Sequence, residues 1–173
     1  ELLAGSRVAF HLQGGEPTVS DVDGALAGAR AHGAQVIVGL GGGSAIDTAK
    51  AVGYQAGARV GIVATIASTD APASAVSVIY TPEGAFSRYL FLPRNPELVL
   101  VDTRVIAMAP VRFLVAGMGD ALATWFEADA CRQSHSPNQC GGLGTLAGYS
   151  LARLCYDTIL EYGVTAKTSC EQK

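Results

Sequence analysis

Short β-branched runs and helical apolar spacing take turns along the first two thirds of the chain. Arg7 to Leu12 alternates loosely and predicts a strand. Ser20-Asp21-Val22-Asp23 has the form of a capping box, and Ala25, Leu26 and Ala29 then follow at helical spacing. Gln35 to Val38, with its Val36-Ile37-Val38 run, predicts a strand. Next come the turn Gly39-Leu40-Gly41-Gly42-Gly43-Ser44 and a helix from Ser44 to about Tyr54. Arg59 to Ala64 is another apolar strand, and Thr65 to Ser74 is a polar turn segment. Ala75 to Tyr80 and Phe86 to Leu92 flank Thr81-Pro82-Glu83-Gly84, the pattern of an antiparallel hairpin. Leu98 to Val101 returns to strand character and Asp102-Thr103 closes it.

The pattern changes near Pro110. Helices are expected from roughly Asp120 to Arg132 and from Gly144 to Glu161, separated by Ser134 to Gly142. The first is small and apolar for a surface helix, which predicts burial on several sides. Trp125 and Phe126 are expected to pack it into the core, with Cys155 and Tyr156 as further core residues. The division is an α/β part over residues 1–108 and the beginning of a helical part over 109–173. The small residues after Pro110 suggest a subunit or domain interface.

Composition narrows the classes. The chain has 173 residues, 49% hydrophobic and 16% charged, with 21 glycines and 7 prolines, which suits a buried, loop-rich domain rather than a disordered one. The net charge of −3 and the lack of a Lys/Arg cluster speak against nucleic acid or an anionic membrane as partner. No apolar run approaches the roughly 18 residues that span a bilayer, and no signal-like leader precedes Arg7, so a cytoplasmic protein is expected. The chain opens on Glu1, which hints that the true start lies elsewhere. Cys131, Cys140, Cys155 and Cys170 form no CxxC and are expected as free thiols.

Candidate chemistry sits in two segments. The glycine turn departs from G-x-G-x-x-G, because position 44 is Ser, and from a Walker loop, because the Lys is missing. Strand, glycines and helix N-terminus still expose backbone N–H groups that can hold a phosphate. The competing reading is a tight turn that needs positive φ. Ser44 with Asp47 satisfies a capping box. Thr65 to Ser74 follows a strand of the same sheet, so its hydroxyls and Asp70 reach the ligand-binding edge, unless they only form Ser/Thr turns facing solvent. Arg94-Asn95-Pro96 is expected to fix a turn.

Longer blocks carry a resemblance. Gly41-Gly42-Gly43-Ser44 with Asp47-Thr48-Ala49-Lys50, Thr65 through Tyr80, Tyr89 to Pro96, Leu114 to Ala128 and Leu151 to Asp157 resemble the glycerol dehydrogenases of the metal-dependent, iron-containing alcohol dehydrogenase superfamily. The resemblance covers most of the chain. It implies a Rossmann-like parallel sheet with an inserted hairpin, followed by the start of an all-helical metal-binding domain. It also implies interconversion of glycerol and dihydroxyacetone with NAD and zinc, in a homo-oligomer. On this pattern Gly42, Gly43 and Ser44 contact the cofactor diphosphate. Thr65, Ser68, Ser74, Val76 and Tyr80 form the rest of the cofactor pocket. Asp70 contacts the glycerol hydroxyls, and Asp120 is the carboxylate among three metal ligands. The family's two histidine ligands lie downstream of anything here, and His11, His32 and His135 have no matching context. Cys131 and His135, four residues apart, are a poor substitute. An earlier ribose-binding unit is also missing, so the chain is expected to be an interior fragment. Two other outcomes stay open: an inactive remnant serving as an association module, and a dehydrogenase for another small alcohol or diol.

Overall fold

The computed structural model describes residues 5–172. Helix α1 (Val19–His32) leads into strand β1 (Val36–Gly41), helix α2 (Gly43–Ala56) and strand β2 (Arg59–Ala64). Strands β3 (Val76–Tyr80) and β4 (Phe86–Phe91) form a hairpin, and β5 (Leu98–Val101) returns to the sheet. Helices α3 (Thr103–Met108), α4 (Val111–Ser134) and α5 (Leu146–Glu171) complete the chain. The sheet order is β1-β2-β5, all parallel, and β3-β4 is a separate antiparallel pair. This is the parallel α/β layer with an inserted hairpin followed by helices that the pattern predicts.

The core forms where α1, α2 and the hairpin meet. Val22, Ala25, Leu26, Ala51, Val52 and Ile79 are buried together. Ile46, Val60 and Ile62 make a second cluster under Ala71. Removing this apolar surface from water drives the packing, at about 25 cal/mol per Å². The opposite face of the sheet is largely exposed. Val38, Gly61 and Leu98 share one register row, and Leu40, Val63 and Leu100 share the next. Val38, Leu40, Leu98 and Leu100 are all more than half exposed there, although parallel sheets normally have both faces covered.

Four local expectations need correction. Arg7 to Leu12 forms no strand. The Arg7 carbonyl faces the His32 ring instead, 3.1 Å from Nε2, and the Arg7 guanidinium donates to the His32 carbonyl. The first capping box lies two residues earlier than Ser20: Thr18 caps α1 and exchanges hydrogen bonds with Asp21. Ser20 lies within the first turn and bonds the Thr18 hydroxyl. A short helix, α3, follows β5 because the Asp102 carboxylate accepts from the Arg104 amide. Finally, α4 starts at Val111, nine residues before the expected Asp120, and buries no residue.

Consequently Trp125 and Phe126 are not core residues. Phe126 is 61% exposed, and Trp125 packs half-buried against Tyr149 and Tyr156 of α5. Cys155 and Tyr156 are half-buried too, with the Cys155 thiol donating to the Ala121 carbonyl. The two helices bury less than their composition suggests because they pack mainly on each other, with α4 meeting the α/β part only around Ala67 and Asp70. All four cysteines are free thiols. Arg94 does fix a turn, pairing with Glu97 and donating to the Ala58 carbonyl. No helix among the described residues is long and apolar enough to cross a membrane.

Candidate active site

The carboxyl end of β1 runs straight into the helix N-terminus of α2. Gly41 holds φ +152°, a conformation that L side chains rarely adopt, so the turn reading of this glycine is correct as far as it goes. Gly42 is the N-cap of α2 and brings no side-chain cap. The first amides of α2 are therefore left without a capping side chain, as an anion site at a helix N-terminus requires. A Cβ on Gly43 would meet nothing within 4 Å, and Gly43 lines a cavity of about 1110 Å³. The absence of a side chain leaves that space open to a ligand.

Ser44 is not a cap. It sits one position inside the helix, and its hydroxyl donates to Glu16 Oε2 at 3.1 Å. Asp47 is not part of a capping box either. It is buried, pairs with Lys50 at 2.9 Å and accepts from the Val78 amide at 3.1 Å. Burial pushes the Asp47 carboxyl above the ordinary carboxylate range, against the opposing pull of Lys50.

The segment from Thr65 to Ser74 is a turn segment, as expected, and it forms the next wall of the cavity. Its end is held by Lys50, whose ammonium donates to the Ala71 carbonyl at 2.9 Å and reaches the Ser74 hydroxyl and the Val76 carbonyl. Helix α4 closes on the same segment. Gly117 makes this possible, since a Cβ there would collide with the Ala67 carbonyl. Three residues on, Asp120 Oδ2 accepts the Asp70 amide at 2.9 Å. The two aspartates, 50 residues apart in sequence, thus share one wall. Burial, and after it the Asp120 charge, raises the Asp70 carboxyl above its ordinary value. A pair of neighbouring carboxylates of this kind favours a hydroxyl donor or a cation between them.

Gly43, Ser44, Ser68, Asp70, Ser74, Val76, Tyr80 and Asp120 all line the cavity. Gly42 and Thr65 stand behind it: Gly42 abuts Ile66, and the Thr65 amide bonds the Gly41 carbonyl at 3.0 Å. Burial, and then the nearby Glu16 carboxylate, raises the Tyr80 phenol. Four residues that shape the site are not marked by the sequence pattern: Glu16, Asp47 as an anchor, Lys50 and Gly117. One signal was available. Asp47 and Lys50 are lone charges at i,i+3 in an otherwise small and apolar helix, a spacing that pairs them on one face.

A zinc centre takes three or four His, Cys or carboxylate ligands. Among the described residues no group of three or more His, Cys, Asp or Glu side chains could hold a metal ion. Asp70 and Asp120 offer carboxylates, but Cys131 and His135 do not complete a site with them. These residues alone do not fit a zinc centre.

Residues 2–103 match the family described as iron-containing alcohol dehydrogenase. Glycerol dehydrogenase of Thermotoga maritima is 60% identical over 167 residues, which are 96% of this chain and 46% of that protein. Glycolaldehyde reductase of Halobacterium salinarum is 47% identical over 98% of this chain and 46% of its own length. A crystal structure of a probable glycerol dehydrogenase from Sinorhizobium meliloti superposes with a TM-score of 0.93 at 46% identity, over 96% of this chain and 47% of that one. The chain thus spans about half the length of the curated relatives it matches. On this evidence of sequence and fold, the chain belongs to the iron-containing alcohol dehydrogenase family.

Proposed function

We propose that this chain forms the cofactor-binding and substrate-facing part of an NAD-dependent, zinc-dependent glycerol dehydrogenase. The observation that carries the reading is the shared cavity, which gathers Gly43 and Ser44 from one element and Asp70 and Asp120 from two others. Residues 1–108 act as the dinucleotide-binding domain, and 109–173 begin the metal and substrate domain, with Pro110 at the junction. Gly42, Gly43 and Ser44 hold the diphosphate through α2 amides and the serine hydroxyl. Thr65, Ser68, Ser74, Val76 and Tyr80 shape the nicotinamide side.

NAD⁺ supplies the hydride acceptor when bound. Asp70 orients the polyol by accepting a hydrogen bond from a substrate hydroxyl. Asp120 presents the one carboxylate that a zinc site would draw from this chain, and further donors are needed to complete it. The largely exposed sheet face and the exposed apolar side of α5 support assembly with more protein, including a homo-oligomer. The four free thiols support a cytoplasmic location.

The similarity to glycolaldehyde reductase favours one second reading, a dehydrogenase for another small hydroxylated substrate. Two measurements on the purified chain separate the readings: NAD⁺ binding by calorimetry, and NADH formation from glycerol, 1,2-propanediol and ethanol with added zinc. NAD⁺ binding with the highest kcat/KM on glycerol supports the proposal. Preference for another alcohol supports the second reading. NAD⁺ binding without turnover supports the cofactor half of the proposal and shows that the missing zinc donors are required, and no NAD⁺ binding refutes the cofactor site.

A further inference from the structure

Lys50 is only 1% exposed, yet it carries an ammonium into the middle of the α/β part. Around its Nζ stand the carbonyls of Ala71, Ser74 and Val76, the Ser74 hydroxyl and the Asp47 carboxylate. An ammonium has three donors, so this site oversupplies it with acceptors, all but Asp47 drawn from one stretch of six residues. Burying a charge is costly unless it is paired, and an apolar side chain of similar volume would fill the space at lower cost. What the lysine provides that an apolar residue lacks is a fixed position for the chain it grips. Lys50 does not line the cavity. It stands behind the wall and cannot be a ligand contact.

Helix α2 ties this grip to the glycine turn. Gly43 opens the helix, Asp47 lies four residues on, and Lys50 seven residues on, about 10 Å along one rigid axis at 1.5 Å per residue. Asp47 takes hold of β3 as well, accepting from the Val78 amide with its carboxylate and from the Ser77 hydroxyl with its backbone carbonyl. One helix therefore carries the anion-binding turn at its start and clamps the wall bearing Asp70, Ser74 and Val76 from its middle.

We infer that Lys50 is a positioning residue that sets the nicotinamide and polyol side of the cavity relative to the diphosphate turn. This assignment rests on the cofactor reading given above. It predicts that loss of the ammonium frees residues 69–76 and weakens whatever binds against them, while the diphosphate turn keeps its grip.

The test uses two variants of the chain, Lys50→Met and the double variant Asp47→Asn with Lys50→Met. The double variant retains an acceptor for the Val78 amide and removes the carboxylate that Lys50→Met leaves unpaired, so it carries the test should the single variant fail to fold. Amide hydrogen exchange is followed at residues 69–76 and, as a reference, in α1. Affinities are measured for NAD⁺ and for ADP-ribose, which has the diphosphate but no nicotinamide. The expected result is exchange about tenfold faster at 69–76 with α1 unchanged, and NAD⁺ binding about tenfold weaker with ADP-ribose within about twofold of wild type. Unchanged exchange at 69–76, or equal losses for the two nucleotides, overturns the assignment. Should the wild-type chain bind neither nucleotide, the cofactor reading fails on its own. The exchange comparison then still decides whether Lys50 fixes the segment.

Discussion

Two helices wall the same cavity and are packed in opposite ways. Helix α2 buries eight consecutive residues, from Ile46 to Gly53, including the charged pair Asp47 and Lys50. Helix α4 is ten residues longer than the 14-residue α2 and buries none. Both are rich in small and apolar residues, so composition does not explain the difference. Position does: α2 lies between the sheet, α1 and the hairpin, whereas α4 has α5 along one side and the Thr65–Ser74 segment at one point. The lesson is that the Gly43 side of this cavity carries its own support. The Asp120 side is an apolar pair of helices waiting for a cover.

The sharpest way to break this contrast is to cut methyl groups on each side. Ile62→Ala, at a fully buried position of β2, is expected to cost about 2–5 kcal/mol in urea unfolding. Leu160→Ala, at a position of α5 that is 60% exposed, should stay within about 0.5 kcal/mol. Similar losses at the two sites would mean that α5 is buried in solution by self-association. A smaller effect probes the glycine turn. Gly43→Val adds a side chain into open space, so stability should hold while NAD⁺ affinity falls about tenfold, roughly 1.4 kcal/mol by calorimetry.

Next in size is the α1 cap. Thr18→Ala removes the hydroxyl that accepts the Asp21 amide, leaves the backbone N–H of residue 18 donating to the Asp21 carboxylate, and should lower stability by about 1 kcal/mol, seen as a drop in Tm. The smallest effect is a pH dependence. The folded-state pKa of Asp47 is raised above 3.8 by burial, so the folded chain holds its proton more tightly than the unfolded chain. Its contribution to stability is therefore full below pH 3.8 and is lost as pH rises through the folded value. Comparing wild type with Asp47→Asn across that window should show wild type losing ground as pH rises. A gap that stays flat would remove burial as the dominant influence on Asp47.

Much of the α/β part is legible in the sequence because its signals are local. A β-branched run followed by glycines places β1 and the start of α2, and Thr81-Pro82-Glu83-Gly84 places the hairpin turn. The approach of Asp70 to Asp120 is not legible from spacing, since it depends on α4 docking at Gly117. The start of α4 is hidden by Gly117 and Gly119, both poor helix formers by propensity that tertiary contacts override. Lys50 is hidden for a different reason: a lysine on a helix reads as a solvated charge. Only the oxygens converging from residues 71–76 show that it is an anchor.

A crystal structure of the chain grown with NAD⁺ tests the cofactor site most directly. The diphosphate is expected against the Gly43 and Ser44 amides at the start of α2, with the nicotinamide directed toward the wall formed by Ser74, Val76 and Tyr80. Diphosphate density elsewhere in the molecule, or an empty cavity at millimolar NAD⁺, would contradict it.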